Sequence, residues 1–97
     1  MDVKTIISEI ESCNSLAPED VDWLLSNYIP IASKRKCSCE TNYYDYENVY
    51  MLNGRYFIVS FTLWESINSG DTGIDDNAFA EEVKPVTRDG GVDYVPK

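Results

Sequence analysis

An α+β fold is the class this sequence predicts: two N-terminal helices packed on an antiparallel sheet of three to five strands. Three observations predict it. Apolar residues recur at helical spacing over residues 3–13, a second helical stretch opens at Pro18, and the pattern then changes to period two around Asn53-Gly54. A run of helices followed by a run of strands is the α+β order. Ninety-seven residues leave room for one core, so the chain is expected to be a single domain. Its helical part would be 1–30 and its sheet part 31–97, with an acidic loop near 65–77.

The elements follow in order. Val3, Ile6, Ile7, Ile10 and Cys13 fall on one helix face, and Asp2 can accept from the first free amides as the N-cap. Pro18 suits a first helical position. Glu19, Asp20 and Asp22 follow it, where the helix dipole favours negative charge. Val21, Leu24, Leu25 and Tyr28 form the apolar stripe, and Pro30 ends the helix. Residues 31–39 are read as a strand. Asn53-Gly54 is the preferred pair for a two-residue type I′ turn, because both positions need positive φ. That turn sets Leu52 opposite Arg55, Tyr50 opposite Phe57, Asn48 opposite Val59, Tyr46 opposite Phe61 and Tyr44 opposite Leu63. These side chains share one apolar face. The other face is mixed, with Met51, Val49, Tyr56 and Ile58 near the turn and Asp45, Glu47, Ser60 and Thr62 farther away. After Trp64 a polar loop of about a dozen residues is expected, judged by its Gly, Ser, Asn and Asp. "AFAEEVKPV" is read as another strand with Pro85 at an edge or an end, and "VDYV" as a weakly paired segment.

Seventeen acidic residues against eight basic ones, with no histidine, give a net charge of -9. The apolar fraction of 43% separates the chain from charged disordered sequences. This charge disfavours direct nucleic-acid and anionic-membrane contact and favours basic protein surfaces; the "KRK" run at Lys34, Arg35 and Lys36 is the basic exception. No apolar run has the length of a membrane span, and the N-terminus lacks the basic start and apolar block of a signal peptide, so a cytoplasmic location is expected. Without histidine, the Ser-His and Cys-His nucleophile pairs are excluded, and a non-enzymatic role is expected.

"GDTGIDD" at 70–76 contains the Asp-Thr-Gly of aspartic proteases. That motif belongs at the end of a buried apolar strand and must meet a second copy so that two carboxylates share a proton. Ser69 and Gly70 precede Asp71, so the supporting strand is missing. A calcium loop starting at Asp71 places Asp75, Asn77 and Glu82 at ligand positions. It fails at Asp76, where the sharp turn needs glycine, and at Gly73, which offers no side-chain ligand. A solvated polar loop is the plain alternative. The electrostatic alternative draws on Glu65, Asp71, Asp75, Asp76, Glu81 and Glu82, between which no base intervenes. A flexible acidic arm of this kind matches a groove built for phosphates. Tyr43, Asp45 and Glu47 would extend the contact, tyrosine supplying low-entropy area, while Tyr44, Tyr46 and Tyr50 belong to the core by the register above.

Cys37-Ser38-Cys39 puts two sulfurs on one strand face, and Cys13 at the end of the first helix is placed to fold over them. Three thiolates leave one position of a tetrahedral zinc site for Glu40, Asp45, a backbone group or water. Free thiols are the alternative, with Cys13 as a plain residue of the helix stripe.

The hairpin, the acidic segment and "EEVKPVTRDGGVDYVP" resemble small proteins of bacteriophages and prophages, over about residues 43–96. In size and acidity the chain resembles phage anti-CRISPR proteins. The resemblance implies a stoichiometric blocker of a bacterial RNA-guided nuclease or a similar nucleic-acid-binding defence protein, acting as a DNA mimic; a zinc-stabilised member of this kind would suit the three cysteines. The alternative is a non-enzymatic phage structural or adaptor module.

Overall fold

Asp2 starts the first helix as its sequence position requires. In the computed structural model its carboxylate accepts from the Thr5 backbone N–H at 2.9 Å, and α1 runs Val3–Cys13. The structure describes residues 2–37, 42–66 and 68–97. Asn14 closes α1 with φ 54, a left-handed conformation that asparagine tolerates. It also ties the helix end to the sheet. Its Nδ2 donates to the Ala80 carbonyl at 3.2 Å, and the Ala80 N–H donates to the Asn14 carbonyl at 3.0 Å. A short strand, β1 (Ser15–Leu16), follows, and then α2 (Pro18–Asn27), which Pro18 opens as expected.

The sheet strands are β2 (Ala32–Cys37), β3 (Tyr43–Leu52), β4 (Arg55–Glu65), β5 (Thr72–Arg88) and β6 (Gly91–Pro96). All pairings are antiparallel, the order is β1-β5-β4-β3-β2, and β6 pairs with β5. Among the described residues the sheet therefore has six strands, not three to five. The β3–β4 register is the one the turn dictates, Leu52 opposite Arg55 through Tyr44 opposite Leu63. Asn53 and Gly54 take φ 51 and 75, both in the positive region a type I′ turn demands.

Alternation divides the sheet into two faces. The inner face meets the helices. Tyr50, Leu52, Phe57, Val59 and Phe61 bury there against Ile6, Ile7, Ile10, Leu16, Val21 and Leu24. Ala78 and Ala80 of β5 are buried in the same cluster. Tyr46 stacks on its cross-strand partner Phe61 with ring centroids 5.4 Å apart and planes 11° from parallel. Buried Asn48 is satisfied within the layer: Ser33 Oγ donates to its Oδ1 at 2.6 Å, and its Nδ2 donates to the Tyr50 hydroxyl at 3.2 Å.

Two stretches depart from the sequence reading. Residues 72–77 are strand, not loop: β4 extends to Glu65, Thr72–Asp75 pairs with Thr62–Glu65, and only 66–71 connects them. Asp and Asn weigh against strand by propensity. Pairing with β4 and the burial of Ile74 override that preference. Between Ser60–Phe79 and Thr62–Asp75 the register breaks, so that residues 76–78 oppose Phe61 alone, and Asp76 sits at φ 62. Such a bulge bends the strand and re-aims its side chains. Pro85 does not end β5, which runs to Arg88, but it does sit at an edge: the β4 pairing stops at Val83, and Pro85 pairs only with Tyr94 of β6 among the described residues.

Candidate functional site

The outer face of the sheet, away from the helices, carries the polar half of the alternation. Reading across the strands, Lys36, Asp45, Thr62 and Asp75 form one row. Lys34, Glu47, Ser60 and Phe79 form the next. Apart from Phe79, the rows line a groove of about 500 Å³, whose rim at the bulge is completed by Asp76 and Asn77. Four carboxylates and two ammonium groups face this space. Asp45 Oδ1 accepts from the Thr62 hydroxyl at 2.7 Å, and Asp76 Oδ1 accepts from the Asn77 backbone N–H at 2.8 Å. Among the described residues no ion pair within 4 Å joins the two lysines to these carboxylates.

A second cleft of about 350 Å³ opens beside the first and shares Lys34 and Glu47 with it. Its floor is Val49 and Ile58, and Val92 to Val95 of β6 form its far wall. Tyr94 approaches Tyr56 with ring centroids 6.1 Å apart. The outer face is thus one trough, acidic at the bulge end and apolar where the β5–β6 hairpin curls over it.

The expected partner-binding residues divide accordingly. Asp45, Glu47, Asp75 and Asp76 come together in the groove. Glu81 lies opposite Ile58 on the same face, half-buried. Tyr43 lies on that face at the far end of β3, opposite Trp64. Trp64 in turn covers Gly73 so closely that a Cβ there would sit 2.6 Å from the indole. Asp71 stands apart in the 66–71 connection, accepting from Ser69 Oγ at 3.0 Å, and Glu65 is exposed at the end of β4.

Glu82 does not belong to this set. Alternation turns it to the inner side, where Arg55 grips it with Nη2–Oε1 at 2.7 Å and Nε–Oε2 at 3.1 Å. Lys97 adds a third contact at 3.0 Å. The hydrogen bonds from Arg55 and then Lys97 lower its pKa from 4.5 to about 2. Arg55 also reaches Glu11 at 3.4 Å, so its guanidinium ties Glu82 and the sheet to α1. The charge of Glu82 is thus matched by Arg55 and Lys97.

The expectation of a flexible acidic arm is corrected too, because Asp75 and Asp76 stand on a paired strand. In the Asp-Thr-Gly triplet, Asp71 precedes a strand instead of ending one, and the Trp64 indole covers Gly73. The calcium spacing fails for a related reason. An extended strand rising ~3.3 Å per residue carries Asp75 and Glu82 apart.

Cys13 and Cys37, expected to share a zinc ion, are not brought together among the described residues. Cys13 ends α1 beside β1, at one edge of the sheet, and Cys37 ends β2 at the other. Four strand intervals of ~4.8 Å separate those edges, whereas zinc bonds of ~2.3 Å need the sulfurs side by side. Cys13 is exposed, with its thiol directed at the Glu9 carbonyl at 3.2 Å. Cys39 and Glu40 lie outside the described residues. Among the described residues no cluster of metal-ligating side chains is present, and no helix is long and apolar enough to cross a membrane.

Sequence reasoning missed the bulge and the trough. A bulge can be recognised in advance only by a positive-φ residue inside a strand, and Asp76-Asn77 is a weak signal of that kind. Comparison of the chain with protein-family models, curated proteins and solved structures found no match.

Proposed function

We propose that this protein is a non-enzymatic inhibitor that binds a basic nucleic-acid-binding protein through the outer face of its sheet and blocks nucleic-acid loading. The observation that carries this reading is the groove, where Asp45, Glu47 and Asp75 at paired strand positions stand together with Asp76 at the bulge. Carboxylates fixed by a sheet lose less freedom on binding than carboxylates on a mobile arm. A cleft lined with arginine and lysine to hold phosphates attracts such a surface and associates with it quickly. An RNA-guided nuclease of a bacterial defence system is the partner class that the anti-CRISPR resemblance implies, since its guide–target channel is positively charged.

The test is a DNA-cleavage assay with purified RNA-guided nucleases. Inhibition by the wild-type chain should be stoichiometric and should weaken as salt rises from about 50 to about 200 mM. Replacing Asp45, Asp75 and Asp76 by Asn and Glu47 by Gln together should weaken inhibition at least about tenfold, while Glu82→Gln, tested below its melting temperature, should inhibit normally. Equal inhibition by the groove variant would overturn the proposal. A second reading, a structural or adaptor module, is favoured by Ile29, which is 91% exposed. Stable self-assembly on size-exclusion chromatography, without inhibition, would support it.

A further inference from the structure

We infer that the outer edge of β2 is a docking edge for an extended, acidic peptide segment of a partner protein, which adds to the sheet as a further antiparallel or parallel strand. Lys34 and Lys36 also border the groove, but the backbone edge lies on the side of β2 away from β3, and the inference does not depend on the inhibitory reading.

β2 ends the sheet order and pairs with β3 on one side only among the described residues. Its other side presents backbone donors and acceptors, the template on which strand addition works. Lys34, Arg35 and Lys36 are all exposed on this strand, and none makes an ion pair within 4 Å among the described residues. This is the densest positive charge in a chain of net charge -9. Lysine on an edge strand guards against pairing with another copy, because two such edges would set cations against each other. The same charges favour a strand that carries carboxylates, since opposite charges facing across strands attract.

The guarding role alone does not account for the neighbouring residues. Ile29 is 91% exposed and Ile31 47% exposed, directly before β2 in the chain. They offer an apolar foothold at one end of the basic edge. The complementary occupant is therefore an extended segment with alternating carboxylates and an apolar residue at one end. A nucleic-acid strand matches the charges but uses neither the backbone ladder nor the isoleucines, and the overall negative charge repels a polyanion more than a short peptide.

The full chain panned against a displayed library of random 12-residue peptides tests this. The expected consensus is acidic, β-branched and bounded by an apolar residue. The consensus peptide, made synthetically, should slow hydrogen exchange at the Ser33–Lys36 amides. Lys34→Glu with Lys36→Glu should weaken it at least tenfold, and Ile29→Asp several-fold. Backbone N-methylation of the peptide, which leaves the protein untouched, should abolish binding. The inference is overturned by any of four results: no enrichment, a basic or neutral consensus, equal binding of the N-methylated peptide, or tighter binding of a short single-stranded oligonucleotide at the same amides.

Discussion

Glu82 and Glu9 are carboxylates that folding moves in opposite directions, so they respond oppositely to acid. Glu82 is held at about 2 by Arg55 and Lys97. Its contribution to stability is complete above the ordinary value of 4.5 and is lost as pH falls from there through about 2. Glu82→Gln should lower the melting temperature by several degrees at neutral pH and leave it nearly unchanged at the acid end. Glu9 on α1 is raised, chiefly by the charge of Asp20 on α2, with a hydrogen bond to Asp20, burial and Glu19 adding to it. Stability from that contact is present below 4.5 and is lost as pH rises through the raised value. Glu9→Gln should therefore raise the melting temperature at neutral pH and have little effect in acid; thermal melts across pH check both signs. Gly73 is limited by space, because a Cβ would meet the Trp64 indole at 2.6 Å. Gly73→Ala should cost about 1–3 kcal/mol, as overpacking does, and should shift the tryptophan fluorescence. The role of Gly73 was hidden in the sequence, where it reads as part of a loop and gives no sign of an indole two strand ends away.

At the scale of elements, the β3–β4 hairpin was the most legible part of the chain and the start of β5 the least. Asn53-Gly54 fixes its turn through two positive φ values, and alternation on both sides then determines every pair. Gly54→Val should lose about 1–2 kcal/mol, the cost of a left-handed conformation for an L-residue. A urea titration should show a lower midpoint with an unchanged slope; an unchanged midpoint would mean that the turn does not set the register. By contrast, β5 begins with residues of poor strand propensity and carries a bulge, so neither composition nor period identifies it. β1 spans only Ser15–Leu16 and has no room to show a period. Both stretches are strands because a neighbour offers them pairing, which is a tertiary cause. The helix starts were legible, since Asp2 and Pro18 act locally, but α2 ends at Asn27, before Pro30, and Leu25 and Cys13 of the expected apolar stripes are exposed.

At the scale of the whole molecule, composition announced an acidic protein but not where its charge would gather. Glu81 and Glu82 are neighbours in sequence and face opposite sides of the sheet. Asp45 and Asp75, thirty residues apart, share one row only because the β3–β4 and β4–β5 registers align them. The same topology sends Cys13 and Cys37 to opposite edges. The outer trough also contains Lys34 and Lys36, directly across from Glu47 and Asp45. Whether its field is negative therefore depends on Asp75 and Asp76 outweighing those lysines, and this balance is what the proposed function requires. Nuclear relaxation by cationic and anionic paramagnetic cosolutes measures the near-surface potential amide by amide. The most negative values should lie at residues 45–47 and 75–77, and they should rise toward zero in the variant with Asn at 75 and 76. A potential near zero or positive across that groove in the wild-type chain would contradict the account.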